Sequence, residues 1–304
     1  MIVDLTDTTA AAIAAALVKA RHTAGVPAVG MVLTLVIVTN EGDSYDSLRA
    51  ALEAAHEHPS RVLVTILRPG RSAPKLDAEV RFLGDSGPGE TVVMRLHGEL
   101  AAHAESVLLP LLLPDAPVVA WWPGQAPDNP ALDPVGALAQ RRITDTAAAA
   151  DPLSELARRA GGYCPGDTDL AWTRITQWRT LLAASLDQPF EPVTGGSVSC
   201  EPGSPSAELL ARWLESRLKV PIERTVSGGP GITAVSLMTE GGEIVISRPD
   251  GRVAHMIRPG QPERPVSLMQ RETAEIMAEE MRRLDPDDIY GEVITLVTRA
   301  GASG

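Results

Sequence analysis

The fold is decided by residues 31–67, MVLTLVIVTNEGDSYDSLRAALEAAHEHPSRVLVTIL, in which two apolar runs flank a helical pattern. The runs at 31–38 and 61–67 are rich in β-branched residues, as is typical of strands covered on both faces. Residues 44–58 between them have the spacing of an amphipathic helix. A strand, a helix and a strand in this order predict a βαβ unit with a parallel strand pair.

The neighbouring segments extend this unit to a mixed sheet. Residues 76–83, LDAEVRFL, alternate between apolar and polar positions, which predicts a strand with one buried face, paired antiparallel with residues 91–98. Further helices are expected near 7–20 and through 103–113, and a buried strand at 116–122. We therefore predict an N-terminal α/β domain with a mixed sheet.

The second half of the chain predicts a helical segment and then a smaller domain. Residues 134–142, 152–160 and 169–187 have helical patterns, and 187–205 is a stretch rich in proline and glycine. A helix at 206–219, short antiparallel strands and two terminal helices should follow. The predicted organisation is an α/β domain with appended helices at 1–186, a linker at 187–205 and a small α+β domain at 206–304.

Charge and composition exclude several classes of partner. The formal net charge is −12, and no basic face suited to phosphates is visible, so nucleic acid and anionic membranes are not expected to bind. No apolar run approaches the roughly 20 residues of a membrane span, and the N-terminus resembles a capped helix more than a signal peptide. Cys164 and Cys200 lack a redox or metal spacing. We expect a soluble, cytoplasmic protein.

A search for catalytic motifs finds weak candidates only. Residues 84–91, GDSGPGET, have the spacing of a phosphate-binding loop, but Glu90 stands where the lysine should be, and a hairpin loop is the better interpretation. No G-x-G-x-x-G is present, so no cofactor is predicted. His56 and His58 fit a helix C-terminus better than a metal site.

The pair Asp167 and Asp169, in GDTDLAW, has two interpretations. The D-x-D spacing occurs in sugar-nucleotide transferases that hold a divalent cation, which makes a metal-dependent transferase the alternative function. The same carboxylates stand just before a helix, where they can cap exposed backbone N–H groups. Capping is the favoured interpretation.

The tryptophans indicate a protein interface more than an active site. Trp121 and Trp122 are consecutive in a strand, so they point to opposite faces; we expect one in the core and one at a crevice for contact. Trp172 and Trp178 share an apolar helical stripe, for which packing in the core is the favoured interpretation. Arginines beside them nevertheless give the composition of interface hot spots. The candidate partner-binding residues are Trp121, Trp122, Trp172, Arg174, Trp178 and Arg179.

Six segments in order resemble one family: residues 1–9, 56–64, 111–124, 133–146, 166–187 and 282–292. They read MIVDLTDTT, HEHPSRVLV, LLLPDAPVVAWWPG, DPVGALAQRRITDT, GDTDLAWTRITQWRTLLAASLD and RRLDPDDIYGE, and they resemble OpcA, the glucose-6-phosphate dehydrogenase assembly protein. The resemblance implies a non-catalytic partner that supports assembly of this dehydrogenase and raises its activity in the oxidative pentose phosphate pathway. NADP and glucose 6-phosphate would be ligands of the partner. Redox control through cysteines, ascribed to some relatives, has no matching spacing here.

Overall fold

Two β-sheets with helices packed against them make up the computed structural model, which describes residues 1–24, 31–82, 90–187 and 191–301. The strands of the first sheet are β1 (Ile2–Leu5), β2 (Leu33–Thr39), β3 (Ser60–Arg68), β4 (Lys75–Phe82), β5 (Glu90–His97), β6 (Val118–Trp122), β7 (Arg141–Thr144) and β8 (Asp167–Asp169). Those of the second are β9 (Val193–Cys200), β10 (Ile222–Val226), β11 (Ile232–Thr239), β12 (Gly242–Ser247), β13 (Ala254–Arg258) and β14 (Gln261–Val266).

Nine α-helices lie within the described residues. They are α1 (Ala10–Ala24), α2 (Ser44–Ala55), α3 (Ala104–Leu108), α4 (Pro152–Gly161), α5 (Leu170–Arg174), α6 (Thr176–Leu186), α7 (Pro205–Leu218), α8 (Thr273–Arg282) and α9 (Asp288–Gly301). In the part of the chain that the structure describes, none of them is long and apolar enough to cross a membrane.

The first sheet is mixed, as predicted, with the order β1-β4-β5-β3-β2-β6-β7-β8. Strands β5, β3, β2, β6 and β7 run parallel, which confirms the βαβ unit, since β2 and β3 pair in parallel across α2. Strand β4 is antiparallel to β5, so the predicted hairpin is also confirmed. Its residues alternate between partly buried and buried, because one face of this strand is covered.

Helices cover both faces of the parallel strands. One face packs with α1 and α3 in an apolar core that includes Ile13, Val36 and Leu108. On the other side, α2 contacts β2 and β3 and also packs against α8. Burial on both faces explains why β2 is apolar at nearly every position.

The second sheet has the order β10-β9-β11-β12-β13-β14. Strands β11 to β14 form an antiparallel meander, as predicted for the C-terminal region. Strand β9 pairs in parallel with β10, and α7 connects them as a second βαβ unit. A separate core joins this sheet to α7 and α9 through residues such as Val235, Leu210 and Val293.

The backbone contacts divide the chain into two units, each made of three segments that alternate along the sequence. The first comprises Met1–Asp145, Cys164–Thr168 and Thr273–Asp287; the second comprises Thr146–Tyr163, Asp169–Glu272 and Asp288–Gly304. This division differs from the predicted split at 187–205. Residues 193–200 of the expected linker form β9, an internal strand of the second sheet, because prolines flank the strand and do not interrupt it.

Three helix predictions also need correction. Residues 134–142 contain only a short 3-10 turn at Gly136–Leu138, and Arg141 begins β7. The helix predicted at 169–187 is divided into α5 and α6 at Ile175, whose ψ of 5° departs from helical geometry. The segment 103–113 has one short α-helix, α3, with 3-10 turns before and after it.

Candidate functional site

The end of β6 lies beside a cavity of about 430 Å³ in the first unit. Its walls come from the carboxyl ends of β2, β3 and β6 and from the segments that follow them, including Thr39, Leu67 and Trp122. Strands β2 and β6 are neighbours; the chain continues from β2 to β3 on one side and from β6 to β7 on the other, so the connections after these two strands run in opposite directions. Open α/β sheets bind ligands at such a switch point, which makes this cavity the first candidate site.

Both consecutive tryptophans are buried. Trp122 is 2% exposed; it packs in the core with Val36 and Ala120 and also borders the cavity. Trp121, 1% exposed, points to the opposite face of the sheet, where its neighbours in register are Ile37 and Ile143. The alternation of strand side chains therefore places one indole at the crevice, although the surrounding chain leaves little of that ring open to solvent.

The indole N–H of Trp121 has no hydrogen-bond partner within the described residues. A buried tryptophan N–H usually has one, since an unpaired buried donor costs stability. The neighbours of Trp121 on β2 and β7 are isoleucines, whose side chains offer no acceptor. Its contribution to the sheet is thus apolar packing.

The other predicted tryptophans lie in the core of the second unit. Trp172 and Trp178 are 1% and 2% exposed, and both pack in the same apolar cluster. The guanidinium carbon of Arg179 lies 3.6 Å from the centroid of the Trp172 ring, which is cation–π geometry. Arg174 and Arg179 themselves are partly exposed. The stripe of aromatic residues therefore packs in the core, as the favoured interpretation predicts.

The two carboxylates of the D-x-D sequence serve the structure. Asp167 accepts hydrogen bonds from the Nε of Arg142 at 2.5 Å and from the backbone N–H of Cys164 at 2.8 Å. Asp169 is the N-cap of α5, accepts from the backbone N–H of Ala171, and also binds the hydroxyl and N–H of Thr146. Capping by Asp169 is confirmed. The metal-dependent alternative loses its ligands, because these oxygens already have strong partners.

In the described ranges, no three histidine, cysteine or acidic side chains are arranged so that they could hold a metal ion. His56 follows the last residue of α2 and is exposed. The thiols of Cys164 and Cys200 are free, and burial raises the pKa of the Cys200 thiol. Residues 84–89 of the possible phosphate loop lie outside the described residues, but they connect the paired strands β4 and β5.

Sequence reasoning missed two buried charge clusters in the first unit. Glu90, the residue that replaces the phosphate-loop lysine, is 1% exposed and is bound by Arg21 and Arg61 at 2.5 Å each. Arg141 on β7 binds Glu280 on α8, also at 2.5 Å. Their partners are far apart along the chain, so no local pattern could have indicated them.

The charged residues that line the cavity are acidic. Asp43, Glu105 and Asp133 line it, together with Asn40 and Gln125, and no lysine, arginine or histidine is present among its described lining residues. Glu41, beside Asn40, binds Arg68 and Arg95 outside the cavity. Burial would raise the pKa of Glu41, but the hydrogen bonds and charges of these arginines outweigh it and lower that pKa. Because the charged side chains among the described lining residues are all carboxylates, a phosphate would be repelled in this cavity.

Comparison with solved structures defines the class of fold. The chain is similar to KijD10, a 3-ketoreductase from Actinomadura kijaniata solved with NADP and TDP-benzene, at 11% identity over 89% of this chain and 96% of that one, with a TM-score of 0.51. A dehydrogenase, MviM, from Clostridium difficile matches at 7% identity over 89% and 98% of the two chains, with a TM-score of 0.46. This chain is thus an α/β protein with two sheets, and the ketoreductase has a similar fold. A sequence identity of 11% indicates similarity of fold and nothing about activity.

The family is defined by two sequence matches. Residues 51–161 match the glucose-6-phosphate dehydrogenase subunit N-terminal domain, and residues 165–294 match the corresponding C-terminal domain. The chain belongs to the OpcA family of glucose-6-phosphate dehydrogenase assembly proteins. Comparison with curated proteins found no significant match.

Proposed function

We propose that this chain is a non-catalytic assembly factor that binds glucose-6-phosphate dehydrogenase and raises its activity. The observation that carries the proposal is the match of both halves of the chain to domains described as subunits of that dehydrogenase. NADP and glucose 6-phosphate are then ligands of the partner, and the effect falls at the entry to the oxidative pentose phosphate pathway.

The chemistry of the described residues supports a role without catalysis. Asp167 and Asp169, the residues most suggestive of a metal-dependent enzyme, are held by Arg142 and Thr146. The cavity at the carboxyl ends of the strands has the position of a nucleotide site, but carboxylates line it and would repel a pyrophosphate. A dinucleotide would need basic groups or a glycine-rich turn there.

Of the predicted contact residues, Arg174 and Arg179 remain accessible candidates for binding the partner, since both are partly exposed in the second unit. The four tryptophans are at most 2% exposed, so we assign Trp121, Trp122, Trp172 and Trp178 to the cores that support these surfaces. Trp122 also borders the cavity. Cytoplasmic localisation is part of the proposal, since the partner's pathway operates in that compartment.

The test mixes the purified chain with the dehydrogenase of the same organism and follows NADPH formation. We expect no dehydrogenase activity from the chain alone, and a rise in activity of the mixture over a range of glucose 6-phosphate concentrations. Light scattering after gel filtration then separates a change of oligomeric state from a change of turnover. Identical activity with and without the chain, together with no complex by light scattering, would refute the proposal.

A further inference from the structure

The charge of the cavity in the first unit selects the class of group that it can bind. Asp43, Glu105 and Asp133 supply three carboxylates, without a cationic side chain among the described lining residues. Charges interact more strongly near a protein surface than in bulk water, because the effective dielectric constant is lower there. A bound anion would be repelled by these carboxylates, whereas an ammonium or guanidinium group would be attracted.

The chain itself holds two of these carboxylates, Asp43 and Asp133, in position. Asp43 accepts a hydrogen bond from the Nδ2 of Asn40 at 2.7 Å, and Asn40 accepts in turn from the backbone N–H of Asp43. Oδ1 of Asp133 accepts from the backbone N–H groups of Val135 and Gly136 at 2.9 and 3.2 Å. Since the acceptors are fixed before a ligand arrives, binding a cation requires little ordering of the site.

The apolar walls fit a long basic side chain. Val38, Leu67, Ala101 and Ala126 line the same cavity as the carboxylates. Lysine and arginine combine a methylene stem with a charged head, so the stem can lie on apolar surface while the head reaches a carboxylate. The volume of about 430 Å³ is near the lower end of the range for ligand sites. Trp122 adds an aromatic ring to the wall, and such rings attract cations.

Two exposed apolar side chains next to the lining residues indicate that the ligand is part of a protein. Tyr45 is 76% exposed, two residues after Asp43, and Leu132 is 78% exposed, directly before Asp133. A small amine confined to the cavity would leave both in water. A protein segment that inserts one side chain would cover them, and tyrosine is frequent among interface anchors.

We propose that this cavity receives a lysine or arginine side chain from a surface segment of glucose-6-phosphate dehydrogenase, with Tyr45 and Leu132 packing against the same segment. The inference rests on the proposed function and identifies the docking point within it. The two surfaces would be complementary in charge. The cavity is acidic and the whole chain has a net charge of −12, so a basic side chain of the partner would be attracted to it.

Two independent variants of the full chain test the proposal. The first, Asp43→Asn, Glu105→Gln and Asp133→Asn together, removes the charge while retaining an amide oxygen that can accept the bonds from Val135 and Gly136. The second, Gly124→Leu, fills the cavity. Within the described structure, a Cβ at Gly124 meets only the carboxyl group of Asp43, with Oδ2 at 3.0 Å, so that side chain must shift by a few tenths of an ångström. This glycine does not have a positive φ.

The matched control removes the same amount of charge elsewhere on the first unit. It combines Asp4→Asn, Glu53→Gln and Asp115→Asn, all at exposed positions that do not line the cavity. The dissociation constant of each variant for the dehydrogenase is measured by titration calorimetry at two salt concentrations. Thermal melting verifies that each variant is folded. If one of the two cavity variants does not fold, the other one decides the outcome.

We expect both cavity variants to bind about tenfold or more weakly, and the control to bind like the parent. Raising the salt should weaken the parent more than the charge-removed variant. Equal binding by parent and cavity variants would overturn this inference and leave the proposed function intact. A parent that forms no complex would refute the proposed function itself.

A small-molecule amine is the remaining occupant to exclude. Spermidine, titrated into the isolated chain, serves as the probe. Binding that Gly124→Leu abolishes, with dehydrogenase affinity unchanged in the same variant, would identify the cavity as a polyamine site and overturn the proposal.

Discussion

Substituting Glu280 by glutamine should release helix α8 from the first sheet. The Arg141 and Glu280 side chains are 3% and 7% exposed, and they meet at 2.5 and 3.1 Å through two guanidinium nitrogens. A third bond, at 3.1 Å, joins Arg141 to the backbone oxygen of Asp285. Glutamine keeps the size of the side chain and removes its charge, which leaves the buried guanidinium without a counter-ion.

The expected cost is about 3 kcal/mol, the lower end of the range for breaking a buried ion pair, since the amide oxygen still accepts one hydrogen bond. The same helix offers a matched control. Arg282 on α8 pairs with Glu57, and these side chains are 58% and 52% exposed. An exposed pair contributes about 0–1 kcal/mol, so Glu57→Gln should change stability little.

Urea unfolding measures the difference, with hydrogen exchange of residues 273–287 as the local readout. With a slope of about 3 kcal/mol per molar, Glu280→Gln should lower the midpoint by about 1 M. Exchange at α8 should accelerate, because this helix loses its anchor before the sheet unfolds. The double variant Arg141→Met/Glu280→Leu should recover most of the stability. Equal effects of Glu280→Gln and Glu57→Gln would refute the reasoning.

Three further predictions concern the cores. Trp121→Ala and Trp122→Ala should each lower the free energy of unfolding by about 3–5 kcal/mol, and an unchanged melting temperature in either would contradict its burial. In the folded protein, Cys200 should react with iodoacetamide more slowly than in the urea-unfolded protein, because burial raises the pKa of its thiol and reduces the thiolate fraction; equal rates by mass spectrometry would contradict this. Gly136→Ala should destabilise by about 1–3 kcal/mol in urea melts, since its Cβ would lie 1.8 Å from the carbonyl oxygen of Pro130, whereas Gly161→Ala, with open space, should not.

The sequence predicts the first sheet well where each strand's surroundings are reflected in its own residues. Strand β2 is apolar throughout because both its faces are covered, and β4 alternates because one face is. The register of the hairpin follows from that alternation, since a slip of one residue would expose Val80 and bury Glu79. Local pattern and tertiary environment agree in these strands.

Strand β9 shows where that agreement ends. Its sequence, VTGGSVSC, has two glycines and no long apolar run, and prolines stand on both sides. Yet Gly196 is required inside the sheet: a Cβ there would lie 2.5 Å from the backbone oxygen of Ser236 on β11. The glycines indicate close approach of a neighbouring strand, which cannot be distinguished in one sequence from the flexibility of a linker.

The buried charges of the first unit show the same limit. The helical pattern of residues 134–142 includes Arg141 and Arg142, but both are buried in β7. Consecutive arginines are seldom buried, so their own sequence does not indicate this strand. Each is neutralised by a carboxylate that the chain supplies much later, Glu280 for Arg141 and Asp167 for Arg142. The strand can therefore be buried only after residues 164–168 and 273–287 have returned to the first unit. A fragment that ends at residue 186 therefore lacks part of this unit. It keeps Asp167, the partner of Arg142, but loses Glu280, so the buried Arg141 would have no counter-ion from α8.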